Sequence, residues 1–175
     1  GLSLESVDMI KLDVEGAELE ILKGGSNTLS DGVIAVVIET HFLKLRENQA
    51  LFPEVYEFLA NLGFELYDLD IRRWWSRELG QQFDKLRVGR IAYADALFLR
   101  PANTLADMVK CPSAAKDKLL KLACLQEYFS LPDCAMETIE YGQKNSIFNA
   151  TESAHYLAAI GENIVTRMFN RTEKP

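Results

Sequence analysis

Residues 10–25 read IKLDVEGAELEILKGG, and in this stretch an apolar run gives way abruptly to acidic residues. The apolar run is of strand length and ends at Asp13, and Gly16 then loosens the backbone. The following AELEILK places two leucines on one helical face, and a Gly-Gly pair ends the helix. The pattern predicts a strand, a turn and a short helix, with Asp13 and Glu15 just beyond the carboxyl end of the strand.

The next segments continue the alternation of strands and helices. Residues 33–38 (VIAVVI) are rich in β-branching, as is typical of a strand that is buried on both faces. Residues 53–62 predict a helix that begins at a proline. Residues 64–69 and 91–101 predict two further strands, which lack a helical crossover and are therefore expected to pair antiparallel. This order predicts the α/β fold class with a doubly wound sheet.

The chain changes character after residue 101. Two segments there carry apolar residues at helical spacing, and Asn149 with Glu152 three residues later forms a capping box that opens the second. We therefore predict two parts, residues 1–101 and a helical appendage over residues 102–175. The apolar faces of these helices have to cover the sheet edge, a second subunit or each other.

Composition and charge exclude several classes of partner. The chain has 175 residues, a formal net charge of -7 and 48% hydrophobic residues, as expected of a globular protein. A pI of about 4.9 argues against nucleic acid or an anionic membrane surface as a partner. We expect no membrane span, since no apolar run approaches the roughly 20 residues required. Three cysteines without metal-ligand spacing and the lack of a signal peptide predict a cytoplasmic location.

Polar residues follow the predicted strands at the edge where an open α/β sheet binds its ligands. Asp13 and Glu15 follow the first strand, and Glu39 and His41 follow the second. A polar loop over residues 71–77 (IRRWWSR) follows the third. We therefore expect these three features to meet in one site.

Each of these groups has a functional and a structural interpretation. Asp13 can act as a base toward a substrate hydroxyl, or can satisfy free amides at a helix start. Glu39 and His41 can form a general-base pair, or can simply hydrogen-bond the end of the strand. The remaining acids of the stretch, Glu18 and Glu20, are expected to lie on a solvated helix face.

The loop over residues 71–77 combines aromatic and cationic side chains. Arg73, Trp74 and Trp75 can bind substrate, because aromatic faces stack on sugars and arginines bind anionic groups. Packing of the tryptophans beneath the loop is the alternative.

The segments VDMIKLDVEGAELEILKGG and VIAVVIETH resemble the core of the FkbM-type methyltransferases. That family typically has a strand ending in Asp, then Val-Glu-Gly, an acid and Leu-Lys-Gly, with a second strand ending in Glu. The resemblance covers about residues 5–101 and is most specific in the first forty. The matching positions are Asp13, Glu15, Gly16, Glu18, Leu22, Lys23, Gly24 and Glu39.

The resemblance implies a Rossmann-like class I methyltransferase sheet whose last strand is antiparallel. It implies S-adenosylmethionine (SAM) as cofactor and methyl transfer to a hydroxyl of a sugar or other small metabolite. Asp13 and Glu15 would then lie near the cofactor, and Asp13, supported by Glu39 and His41, would be the catalytic candidate.

One feature departs from the family pattern. Such enzymes bind SAM through a glycine-rich turn after an early strand, and no G-x-G motif precedes IKLDVEG. We therefore expect residues 1–101 to correspond to the C-terminal half of the domain, without the main SAM-binding motif. The chain by itself is expected to be inactive.

Three alternatives stay open at this point. Residues 102–175 can belong to a non-catalytic remnant that binds a partner protein or forms a homo-oligomer through its helices. The RRWW stretch at residues 72–75 can define a module that binds anionic sugars. A Mg²⁺ site built from Asp13, Glu15 and Glu39 is less favoured, because their spacing matches no established metal-binding loop.

Overall fold

The computed structural model describes residues 6–74, 89–109 and 111–172, the last nine by backbone alone. The chain divides into two compact units, Gly1–Arg100 and Pro101–Pro175. We name the first the sheet unit and the second the helical unit.

The sheet unit is a mixed α/β structure, so the predicted fold class is confirmed at that level. Its helices lie between strands in the order expected from the sequence. The elements are β1 (Met9–Leu12), α1 (Glu18–Gly24), α2 (Ser26–Ser30), β2 (Ala35–His41), α3 (Phe52–Asn61), β3 (Glu65–Trp74) and β4 (Arg90–Leu99).

The four strands form one sheet in the order β1-β2-β4-β3. β1 pairs parallel with β2, in a register that sets Leu12 opposite Ile38. β4 pairs antiparallel with both β2 and β3, so the predicted antiparallel pairing of the last two strands is confirmed. Because β1, β2 and β3 therefore run in the same direction, their carboxyl ends share one edge of the sheet, which we call the carboxyl edge.

The prediction of a polar loop over residues 71–77 is wrong for residues 71–74, whereas residues 75–77 lie outside the described residues. β3 continues through Ile71 to Trp74 and stays paired with β4, with irregularities in register between Leu66 and Asp68 and between Arg72 and Arg73. A strand that pairs on one side and is open on the other tolerates polar side chains, because those side chains stay in solvent. Because these side chains are exposed, this part of β3 lacks the apolar pattern from which a strand is predicted.

The core of the sheet unit lies between the sheet and its helices. Leu22 and Leu29 from the first two helices pack with Val36 and Phe98 from the strands, and Leu59 of α3 joins the same cluster. The helices thus cover one face of the sheet in a single layer. β2 is buried or half-buried along its whole length, as the β-branched run predicted.

A buried arginine, Arg100, joins several segments of the chain at the end of the sheet opposite the carboxyl edge. Arg100 is 2% exposed, and its guanidinium donates to the main-chain carbonyls of Leu29, Val33 and Leu62. It also lies 4.1 Å from the ring centroid of Phe64. Burial lowers the pKa of Arg100. One side chain therefore joins α2, β2 and the end of α3 through carbonyls that would otherwise be unpaired.

The helical unit consists of α4 (Ala102–Met108), α5 (Pro112–Tyr128), α6 (Pro132–Lys144) and α7 (Ala150–Thr172). α5 packs on α6 and α6 on α7, so these helices cover each other's apolar faces. The predicted capping box is confirmed: Asn149 N–H donates to Glu152 Oε2 at 3.1 Å, and Glu152 N–H donates to Asn149 Oδ1 at 2.9 Å. Helices α4 and α6 were not predicted from the sequence.

Candidate active site

The turn after β1 is built around two residues with left-handed backbone. Glu15 has a φ of 62° and Gly16 a φ of 116°, a conformation that only glycine adopts at little cost. The reversal directs the main-chain N–H groups of Val14 and Gly16 toward one carboxylate. Both donate to Glu18, at distances between 2.9 and 3.1 Å. We call residues 13–17 the acidic turn.

Glu18 therefore does not lie on a solvated helix face, and that expectation is wrong. The residue is 5% exposed, and its carboxylate is the acceptor for the acidic turn. Glu18, and not Asp13, accepts the hydrogen bonds of these amides. The structural interpretation of Asp13, as an acceptor for free amides at the helix start, is therefore wrong. Glu20 is exposed, as expected.

A second loop, residues 42–49, contacts the acidic turn through Arg46. The guanidinium of Arg46 donates to the main-chain carbonyl of Glu15, and its Nη2 donates to Glu15 Oε2 at 2.5 Å. This contact with Arg46 lowers the pKa of the Glu15 carboxyl group. Glu15 is thus held as a carboxylate and its charge is largely offset by Arg46.

Glu39 and His41 are part of β2 and do not follow it, which corrects their predicted placement. Their side chains project from the same face of the strand, with His41 Nε2 3.5 Å from Glu39 Oε1. The ring of Tyr93 on β4 lies beside His41, with centroids 5.8 Å apart. Burial lowers the pKa of His41, so the imidazole is neutral near pH 7.

The pKa of Glu39 is shifted in the opposite direction. Burial raises the pKa of this carboxyl group, and the negative charges of Asp13, Glu15, Glu18 and Asp95 raise it further. The same carboxylates surround both strand ends, which makes the carboxyl edge an acidic environment.

Asp13 lies directly after β1, one residue beyond the last register pair (Leu12 opposite Ile38), and its negative charge acts on Glu39. Its side chain is 48% exposed, and Lys11 Nζ lies 3.9 Å from its carboxylate. Two buried polar atoms, on β2 and in the loop that follows it, lack a hydrogen-bond partner among the described residues, namely Thr40 Oγ1 and Gln49 Nε2. An exposed carboxylate and such buried atoms are groups that a bound ligand can satisfy.

The predicted substrate platform stands apart from the other candidates. Arg73 and Trp74 belong to β3, and β4 lies between β3 and β2. Arg73 Nη1 donates to the carbonyl of Gly89 at 3.1 Å, and Trp74 is half-exposed. Trp75 lies outside the described residues. Asp13, Glu15, Glu39 and His41 thus lie on or just after the neighbouring strands β1 and β2. Arg73 and Trp74 lie on β3, two strands away from His41.

Within the described ranges, no three residues among His, Cys, Asp and Glu form a group suited to a metal ion. No helix in that part of the chain has the length and apolarity to cross a bilayer.

Sequence reasoning missed three residues of this edge, which are Glu18, Arg46 and Gln49. Glu18 had one usable signal, since it is an acid at the start of a helix directly after a glycine turn. Arg46 and Gln49 had none, because their segment lacks a regular pattern and the Arg46–Glu15 contact spans 31 residues of sequence.

One matched segment contains all seven residues of this edge, namely Asp13, Glu15, Glu18, Glu39, His41, Arg46 and Gln49. Residues 2–66 match the family model described as the methyltransferase FkbM domain. This part of the chain is similar to the FkbM methyltransferase domain. The resemblance predicted from the sequence is thereby confirmed, and we call residues 2–66 the FkbM segment.

A curated relative matches nearly the same residues. The methyltransferase sdnD of Sordaria araneosa is 40% identical over 63 residues, which are 36% of this chain and 22% of that relative. The chain thus aligns with less than a quarter of the length of the relative. No solved structure matches the chain. Arg73 and Trp74 lie beyond the FkbM segment.

Proposed function

We propose that the chain is part of a SAM-dependent methyltransferase that methylates a hydroxyl oxygen of a sugar or another small metabolite. One observation carries the proposal: the FkbM segment contains the carboxyl ends of both parallel strands, where the charge of Asp13 acts on Glu39 and Glu39 lies 3.5 Å from His41. In open α/β sheets this edge is where ligands bind.

The proposed fold is the C-terminal half of a Rossmann-like class I methyltransferase domain over residues 1–101. The antiparallel β4 supports it, since an antiparallel last strand is what the resemblance implies. The outer edge of β1 supports it too. It is unpaired among the described residues, and beside it lies an apolar groove of about 180 Å³. The groove is lined by Ile10, Leu12, Ile21, Leu22, Gly25, Thr28 and Leu29.

An exposed edge strand with an apolar flank is a template for a further strand. We expect earlier strands of the same domain to pair with Met9–Leu12. Amide hydrogen exchange at β1 checks this. In a longer protein that contains the chain, the outward-facing amides of β1 should exchange more slowly than in the 175-residue chain, and equal rates would contradict the pairing.

The residues present at the carboxyl edge fit the proposed cofactor in their chemistry. SAM is a cation at sulfur and amine, and it supplies an electrophilic methyl group. Asp13 offers an exposed carboxylate, whereas the carboxylate of Glu15 is already engaged by Arg46. Gln49 Nε2, next to Gly16 of the acidic turn, is a buried group that a bound ligand would satisfy. We therefore favour Asp13 over Glu15 as the cofactor-side or acceptor-side carboxylate.

The same edge holds groups that can accept the proton of the acceptor hydroxyl. Asp13 is accessible to a substrate, so it is our first candidate for the base. His41 is neutral near pH 7, because burial lowers its pKa, and Glu39 lies close enough to orient the imidazole. General-base assistance of this kind contributes about 10²- to 10⁴-fold to a rate.

Calorimetry with SAM and transfer of a labelled methyl group test the proposal. Both are measured on the 175-residue chain and on a longer protein that contains it. We expect SAM binding and transfer to hydroxyl acceptors in the longer protein only. Absence of both from the longer protein would overturn the proposed function, and tight binding by the chain alone would overturn the assignment of the main cofactor site to another segment.

Variants separate the proposed roles. Asp13→Asn should lower kcat about 100-fold or more if Asp13 is the base, with little change in the Kd of SAM. A large rise in Kd with unchanged kcat would assign Asp13 to the cofactor instead. Glu20→Gln, on the exposed face of α1, is the matched control and should change neither value.

A further inference from the structure

The acidic turn is held from two sides by different residues. From the inside, the buried carboxylate of Glu18 accepts the main-chain N–H groups of Val14 and Gly16. From the outside, Arg46 donates to both the carbonyl and the carboxylate of Glu15. The second contact joins the loop after β2 to the turn after β1, so it couples the two strand ends that carry the candidate catalytic groups.

Arg46 is itself held in place by a buried side chain. Gln49 Oε1 accepts hydrogen bonds from the main-chain N–H groups of Leu45 and Arg46, at 2.9 and 3.2 Å. Gln49 is 5% exposed, so these bonds are shielded from water. The result is a chain of contacts that runs from Gln49 through Arg46 to Glu15.

Gly16 fits between the same residues. A Cβ atom at this position would lie 3.5 Å from Arg46 Nη1 and 3.7 Å from Gln49 Cγ. A Cβ would therefore meet both side chains only at ordinary van der Waals distance, so space does not exclude a larger residue. Glycine is favoured there by its φ of 116°.

We propose that Arg46 is a positioning residue, which fixes the acidic turn against the end of β2 through the fork of its guanidinium and is itself fixed by Gln49. The catalytic meaning of this role rests on the proposed function, but the structural role does not. A guanidinium presents several N–H groups in one rigid plane and can bind a carbonyl and a carboxylate together. A lysine offers the same charge without that geometry.

The contacts that run from Gln49 through Arg46 to Glu15, which we call the clamp, also affect the pKa of His41. Glu15, Glu18, Glu39 and Arg46 are the charged groups around the imidazole, which also faces Tyr93. Arg46 lowers the pKa of His41, whereas Glu15 and Glu18 raise it. Removal of Arg46 leaves the carboxylates unopposed, so the pKa of His41 should rise.

Two spectroscopic measurements on the 175-residue chain test the clamp. In Arg46→Met we expect the amides of Val14 and Gly16 to exchange about tenfold faster or more, as for the loss of a charge-assisted hydrogen bond. The NMR titration of His41 should move to higher pH.

Arg46→Lys separates geometry from charge. In Arg46→Lys we expect the pKa of His41 to stay near that of the wild type, because the positive charge is retained. The amides of Val14 and Gly16 should exchange as fast as in Arg46→Met, because the planar geometry of the guanidinium is lost. Lys121→Met is the matched control, because it removes an exposed ion pair with Asp117 on α5. It should alter neither measurement.

Three outcomes measured on the 175-residue chain would overturn the proposal. These are unchanged exchange at Val14 and Gly16 in Arg46→Met, wild-type exchange in Arg46→Lys, or equal effects in Lys121→Met. In a longer wild-type protein that transfers methyl groups, an Arg46→Met variant with unchanged kcat would also overturn it. A wild type without SAM binding or transfer would instead overturn the proposed function, since the exchange measurements need no SAM.

Discussion

Both carboxylate oxygens of Glu18 accept the main-chain N–H of Gly16, at 3.0 and 2.9 Å. The relationship makes Glu18 the internal support of the acidic turn, although the residue itself begins α1. A glycine in left-handed conformation and a buried carboxylate two residues later thus form one unit. The same carboxylate also accepts the N–H of Val14.

Replacement of this carboxylate should destabilise the sheet unit. We expect Glu18→Ala to lower the free energy of unfolding by about 1–3 kcal/mol, because the amides of Val14 and Gly16 lose a charged acceptor. Urea denaturation provides the measurement. Glu20→Ala is the control on the exposed face of the same helix, and a loss as large in that variant would refute a specific role for Glu18.

The His41 imidazole should make stability depend on pH. Its folded-state pKa lies below the ordinary value of 6.5, because burial disfavours the imidazolium. The unfolded state then binds more protons, so stability is fully present above about pH 6.5 and declines as the pH falls toward the folded pKa. Urea denaturation from pH 7.5 to 5 should show this decline in the wild type and a weaker one in His41→Asn. Parallel pH profiles would contradict the assignment.

The contribution of Glu39 to stability has the opposite pH dependence, over the pH range in which its own carboxyl group titrates. Its folded-state pKa is raised above 4.5, chiefly by burial, so its contribution is present below that value and is lost as the pH rises through the folded pKa. A Glu39→Gln variant should therefore gain stability relative to the wild type as the pH rises from 4.5. A constant difference between the two proteins across this range would show that Glu39 titrates normally.

Arg100 should be critical for folding of the sheet unit. Arg100→Met leaves the carbonyls of Leu29, Val33 and Leu62 without their donor, and we expect a loss of about 3 kcal/mol or more in the free energy of unfolding. Denaturant unfolding monitored by circular dichroism checks it. Arg90→Met, at the exposed start of β4, is the matched control and should cost less than about 1 kcal/mol.

Gly142 allows the close approach of Phe148 in the helical unit. A Cβ atom there would lie 2.3 Å from two ring carbons of Phe148, which is buried and cannot yield easily. We expect Gly142→Ala to destabilise the protein by about 1–3 kcal/mol. Gly161→Ala on α7 is the control, because nothing lies within 4 Å of its Cβ position. Thermal unfolding should show a neutral or stabilising effect for Gly161→Ala, and the same loss in both variants would refute the packing argument.

The elements of the sheet unit were largely predictable from the sequence, whereas the carboxyl edge was predictable only in part. Strand β1 and helix α1 follow from local apolar spacing, and β2 from a β-branched run. The extension of β3 to Trp74 was not predictable, because a strand that stays in solvent has no hydrophobic signature. The sequence could bring Asp13, Glu39 and His41 to one edge of the sheet because the strands locate the residues at and near their ends, although Glu39 and His41 lie within β2 and do not follow it.

Local sequence was sufficient for the features whose cause is local. The strand and turn around Asp13, the capping box at Asn149 and the FkbM resemblance all depend on residues within a few positions of each other. The burial of Glu18, the contact of Arg46 with Glu15 and the position of β4 between β3 and β2 emerged only from the folded chain. These features join distant segments, and strand order and side-chain pairing across such distances are set by packing of the whole sheet.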